Sequence, residues 1–318
     1  MHIAKKTLSF ILTVILIFTF AVFLSAPAKY AESITKGISL WAVSVLPATF
    51  PLLFLTSLIT EQHIFRKCSA KMAPVTKKLF RISGMGGSIA LLSVFSGYPV
   101  GARSLLNLYE TSPYPRDEGF RLSCLASTSG PSFIVGVVGS MMFKSAKAGW
   151  LMFLSHLIAV FFVCFLLRFT ARTQTETTSR VLKQNNGSLF DKIWSSVVSV
   201  LCVGGLIAIF SCFSDMLTDI GVFSVASAFG GHAAYAEGVL RGLMEMTTGC
   251  AELSAIKTPL SVALSCFLIT FGGLCVLLQQ LSFLLPTGVK AAPFIFVKFL
   301  QAILAGTVCY ALVSAFGF

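Results

Sequence analysis

Two glycines, a proline and a guanidinium stand together in "SGYPVGARS", residues 96–104, within a run otherwise apolar enough for a bilayer. Non-helical backbone is tolerated at membrane depth only where protein buries it or where it lines a polar cavity. A helix broken there leaves free N–H groups at one end and free carbonyls at the other, and these can hold polar or charged ligand groups. Gly97 to Arg103 therefore reads as the tip of a re-entrant hairpin. A counterpart lies in "GLMEMTTGC", residues 242–250, where Glu245 is flanked by apolar residues and followed by two hydroxyls and Gly249. An intramembrane carboxylate is a functional candidate by default, here a site residue or a coupling-ion ligand, the alternative being a structural pair with Arg241. Two further interruptions, "STSGPS" at 127–132 and Phe271-Gly272-Gly273, break other apolar runs.

Arg103 admits two readings: snorkelling to the interface, or contacting a ligand or an internal ion partner. Lys298, eight residues into the last apolar run, reads as a snorkelling lysine, and His156 as a hydrogen-bonded packing residue rather than a proton relay. Ser129 with His156 as base would suggest a nucleophile, but the local glycine pattern is wrong for intramembrane proteolysis. No catalytic role is expected.

The elements that must position these residues are membrane helices. The 318 residues are 56% hydrophobic and 11% charged, against about 25% charged in soluble domains. Apolar runs of the length that spans a bilayer recur along the chain, so the fold class is an all-α polytopic membrane protein. The formal charge of +12 is dispersed in short connectors. That is positive-inside topology signalling and not a nucleic-acid surface. Nine cysteines occur singly, without metal-ligand spacing, and read as small packing residues. "MHIAKK" followed by "TLSFILTVILIFTFAVFL" resembles a signal peptide, but its apolar run is long for one, so residues 1–30 read as an uncleaved first helix.

A segment at 37–60 should kink at Pro47 and Pro51. Residues 66–84 set Met72, Val75 and Leu79 among lysines and suit a basic helix in the headgroup layer. The hairpin 84–110, a polar turn at 111–118 and an interrupted run at 119–143 follow, then a plain helix at 147–168. A polar cytoplasmic connector, 169–190, includes the sequon Asn186-Gly187-Ser188. After it the plan repeats: a helix at 191–214, an irregular hairpin within 215–257, a broken helix at 258–285 and a last helix at 291–316. If each hairpin re-enters without crossing, each half crosses three times, and the second half (191–316) is inverted relative to the first (37–168). Lys144 and Lys147 then fall outside, a mild breach of the charge rule.

"SGYPVGARSL", "STSGPSFIVGVVGSMMF", "GLMEMTTGC" and "ITFGGLCVLLQ", in that order, resemble the sporulation integral membrane protein YlbJ family, of the nucleoside-recognition or Gate domain group. The resemblance runs from "GISLWAVSVLPATFPLLFL" onward. It implies an endospore-forming bacterium, a multi-pass cell-membrane location, a part in spore cortex formation and a core similar to concentrative nucleoside transporters. Carried over by motif, the first signature is Gly97, Tyr98, Pro99, Gly101, Ala102 and Arg103. Ser129, Gly130, Pro131 and Phe133 form the second, Glu245, Thr247 and Gly249 the third, and Gly272, Gly273 and Gln279 the fourth. One departure is Val276-Leu277-Leu278, where a polar residue is expected before the glutamine.

On this reading a small polar solute, nucleoside-like in one version, binds at the midplane without a cofactor. Tyr98 and Phe133 stack on it, Ser129, Thr247 and Gln279 hydrogen-bond to it, and Na+ or H+ provides coupling. The alternative is a non-transporting scaffold or receptor for spore-envelope assembly. The partners expected are the lipid bilayer and the solute, with a homo-oligomer left open.

Overall fold

The computed structural model describes residues 13–14, 17–59, 62–171 and 188–318, and the elements assigned among them are helical. Residues 1–12 and 15–16, the core of the polar connector and the sequon at Asn186 lie outside the described residues. Residues 17–25 are helical.

Helix α1 (Pro27–Leu40) passes through a π-helical turn (Trp41–Val45) into α2 (Leu46–Ile59). Pro47 and Pro51 lack the N–H that would close the preceding turns, and the two arms of this segment are bent by 53°, as the prolines predicted. Helix α3 (His63–Phe80) stops at Arg81, whose φ of 53° is left-handed, and the chain turns by 88° into α4 (Gly84–Ser96). Helix α3 holds to the protein through Ser69, whose hydroxyl donates to Ser88 Oγ at 2.8 Å, and through Thr76, which abuts Gly87. Val75 and Leu79, with the lysines, face outward.

Helix α5 (Tyr98–Thr111) follows α4 after the single residue Gly97. Gly101 of α5 abuts Ser93 of α4, so the chain folds back at Gly97 as a helical hairpin. The expected polar turn is shorter than 111–118: α6 (Arg116–Leu125) already contains Glu118, which is fully buried and accepts from Ser83 N–H at 2.9 Å. The run 119–143 is broken as expected, α6 giving way at 126–131 to the π-helical α7 (Ser132–Met142). Helix α8 (Ala146–Leu167) closes the first half.

Helix α9 (Leu189–Asp219) opens the second half on a Ser188/Asp191 capping box. A 3-10 segment (Val222–His232) leads to α10 (Ala233–Met244) and α11 (Met246–Ile256). These two form a second hairpin about Glu245: Gly238 packs on Leu253, and Tyr235 Oη lies 3.1 Å from Thr258 Oγ1. Helices α12 (Pro259–Phe271) and α13 (Gly273–Leu284) are the halves of one broken helix, and α14 (Ala291–Phe316) ends the chain.

Helices α8, α12 and α14 pack against one another, with α1 and α2 against α9. The second arm of each hairpin packs on the broken helix of the other half, α5 on α13 and α11 on α7. Among the described residues four helical stretches, Ala146–Thr170, Leu189–Asp219, Pro259–Thr287 and Ala291–Phe316, are long and apolar enough to cross a bilayer; counting each bent pair as one span makes up to six.

Candidate functional site

The four interruptions meet. Gly97 adopts φ 89° and Gly272 φ 95°, left-handed values that glycine reaches without steric cost. Both glycines allow the chain to leave one helix and start the next within a residue. Each hairpin tip then touches the interruption of its own half. A Cβ on Gly130 would sit 2.8 Å from Phe95 O, and one on Gly273 would sit 2.7 Å from Gly242 O.

Between the tips lies a cavity of about 60 Å³, several times what one buried water needs. Of the sequence-predicted residues, Gly97, Tyr98, Ser129, Gly130, Phe133, Glu245, Thr247 and Gln279 line it. Thr49, Ser96, Ser132 and Cys275 join them, with an apolar wall that includes Val203, Ile207 and Val276. The valine that departs from the fourth motif therefore contributes to this wall.

The other predicted residues stand outside the lining. Gly272 and Gly273 make the α12–α13 break, Pro131 precedes α7, and Pro99 occupies the first turn of α5, where its missing N–H costs nothing. Gly101 and Gly249 serve close packing: a Cβ on Gly101 would strike Ala126 O, and one on Gly249 would lie 2.6 Å from Gly238 O. Arg103 points away from the cavity to α9, where its guanidinium donates to Ser195 O at 3.2 Å and to the hydroxyls of Ser195 and Ser199. It does not line the cavity.

Glu245 is 1% exposed and caps α11. Its carboxylate accepts from Thr247 N–H at 3.0 Å, Thr248 N–H at 2.7 Å and Thr248 Oγ1 at 3.0 Å, an anion on the positive end of a helix. Of about four acceptor positions on a carboxylate, three are occupied. The alternative reading of Glu245, a structural pair with Arg241, does not hold. Arg241 instead faces Asp215, Glu237 and Glu252, each at 3.3 Å.

The first half closes its break through partners from elsewhere. Tyr98 Oη donates to Ile269 O, a carbonyl that the break in α12–α13 leaves without its helical donor. Ser127 Oγ donates to Gln280 Oε1. His156 Nε2 accepts from Ser129 N–H at 3.1 Å, and Nδ1 lies 2.9 Å from Thr270 Oγ1, whose own proton goes to Cys266 O. These partners assign the proton to Nδ1, so His156 staples the 126–131 break to α12.

Lys298 overturns its snorkelling expectation. It is fully buried, donates to Ser127 O at 2.9 Å and holds Nζ 5.3 Å from the centre of the Tyr98 ring. One turn along α14, Gln301 Nε2 donates to Cys124 O at 3.2 Å. Among the described residues no group of three or more His, Cys, Asp or Glu side chains is placed to hold a metal ion, and the nine cysteines are free thiols.

Long apolar helices, two of the apolar segments sharply bent, and a cavity among broken ends define an integral, multi-pass α-helical membrane protein. The chain is homologous to the sporulation integral membrane protein YlbJ of Bacillus subtilis (strain 168), with 26% identity over 321 residues that cover 91% of this chain and 79% of that protein. No protein-family model and no solved structure matches the chain.

Proposed function

We propose that this protein acts in bacterial sporulation, in spore cortex formation, by binding and carrying a small polar solute across a membrane of the sporulating cell. The observation that carries the reading is the convergence of two hairpin tips and two broken helices on one cavity, since paired interruptions in matching positions mark transporter binding sites. Homology to a sporulation membrane protein supports the setting.

The proposal includes an inverted repeat, 37–168 and 191–316, after an N-terminal helix and with a cytoplasmic connector at 169–190. Hairpin α4–α5 re-enters in one half and α10–α11 in the other, as in concentrative nucleoside transporters. The reciprocal packing of α5 on α13 and α11 on α7 supports it. In the site, Phe133 and Tyr98 offer ring faces, Ser129, Thr247 and Gln279 offer hydrogen bonds, and Glu245 has one acceptor position left for a donor or for a coupling cation or proton. A cavity of about 60 Å³ holds only a few waters, so a solute of nucleoside size requires the tips to part, which is the movement alternating access demands. The reading contains no catalysis: Ser129 meets His156 through its backbone N–H, and both imidazole nitrogens are engaged.

The test is ligand-dependent thermal stabilisation of the purified protein against nucleosides, amino acids and cell-wall precursors, neutral and charged. A ligand at 100 times its dissociation constant adds about 2.7 kcal/mol. The expected result is a saturable shift with one solute class, lost in Ser129→Ala and Glu245→Gln. Silence across the panel, with spore formation intact in both variants, favours the scaffold reading.

A further inference from the structure

We infer that the interruption at 126–131 is a monovalent-cation site filled by a tethered cation, the ammonium of Lys298. The inference stands on this geometry alone and does not depend on solute transport.

The partners of Nζ are a carbonyl oxygen of unwound backbone, Ser127 O at 2.9 Å, and the face of the Tyr98 ring, 5.3 Å to its centre. Unwound carbonyls are the ligands that broken membrane helices offer to small cations, and an aromatic face attracts the same charge. The site sits at the C-terminal end of α6, the negative end of its dipole, where Gln301 from the same face of α14 takes the neighbouring carbonyl of Cys124.

A carboxylate partner does not explain this buried lysine. Among the described residues Lys298 has no carboxylate within ion-pair distance, and Glu245 is committed to the N-terminus of α11. A methionine would fill the same space without the cost of burying a charge. What the lysine adds is a positive charge fixed at the end of α6, against the back of a ring that lines the cavity. With that position occupied from within, the break needs no free Na+ to close.

Thermal unfolding of the full-length purified protein tests this. Glu245→Gln, which removes the carboxylate offered above to a coupling cation, is expected to melt at the same temperature in NaCl and in choline chloride. Lys298→Ala and Lys298→Met are each expected to lose several degrees. Methylammonium chloride, which replaces the deleted head group, should restore most of the loss in Lys298→Ala saturably, while methanol should not. Saturable stabilisation of Glu245→Gln by Na+ overturns the proposal, as does a Lys298→Met protein as stable as wild type. So does a Lys298→Ala protein that methylammonium restores no better than methanol. Should Lys298→Ala fail to fold, the salt comparison in Glu245→Gln and Lys298→Met still decide.

Discussion

The two hairpin tips do the same geometric job with opposite chemistry. At the second tip Glu245 is an extended residue whose own side chain accepts the first N–H groups of α11, so the turn is satisfied from within. At the first tip Gly97 has no side chain, and Tyr98 sends its hydroxyl across to Ile269 of the other half. The interruption beside it, 126–131, is held by His156, Gln280 and Lys298, from three other helices. The second hairpin is thus a self-contained unit, whereas the first is wired into its surroundings. A movement that opens the cavity costs fewer hydrogen bonds at the second tip.

The largest effect expected on this contrast comes from prising the self-contained hairpin apart. Gly249→Val puts a branched side chain where even a Cβ lies 2.6 Å from Gly238 O. Overpacking of this kind costs about 1–3 kcal/mol for added methylenes, and a backbone obstacle sets it at the upper end. The variant should melt well below wild type.

Next comes Glu245→Ala, which strips an N-cap. Loss of a cap costs about 0.5–2 kcal/mol, and the orphaned N–H groups of Thr247 and Thr248 are buried or half-buried. Glu245→Gln, which keeps one oxygen acceptor, should fall between alanine and wild type in thermal stability. Hydrogen exchange should then quicken in α11 and remain unchanged in α5; equal changes in both would show that the second tip is not self-contained.

The smallest effect is expected from Tyr98→Phe, which removes one hydrogen bond worth about 1 kcal/mol. Its signature is reach: exchange should quicken around the α12–α13 break, in the opposite half of the chain, as well as at the first tip. A change confined to residues near position 98 would contradict the wiring.

The sequence showed some of this and hid the rest for physical reasons. Pro47, Pro51, Gly97 and Gly272 announced breaks because each removes a donor or permits a backbone angle that an apolar helix would not use. Glu245 announced itself as a charge where charge is expensive. The hidden features are matters of direction. Arg103 lies more than a turn past the Gly97 tip, and nothing local says that its guanidinium turns to Ser195 and Ser199. Glu118 and Arg121 looked like ordinary residues near a polar turn, yet both are buried, Arg121 donating to Arg81 O at 2.9 Å and pairing with Asp117 at 3.1 Å. Lys298 had a readable sign. With Gln301, Ala302 and Ala305 it falls on one helical face that combines polar with small residues, and that face is the buried side of α14.

The central claim, that the four interruptions enclose a cavity reached from water, is tested most directly at Cys275. This thiol lines the cavity yet is 2% exposed, whereas Cys309 is equally buried in the α14 core away from it. Each would be kept as the single cysteine of an otherwise cysteine-free protein, and labelling by a small membrane-impermeant thiol reagent timed in native membranes. The account predicts that Cys275 reacts measurably, and more slowly once a stabilising solute is present, while Cys309 stays unreacted. Cys275 labelling no faster than Cys309 from either side of the membrane would contradict it.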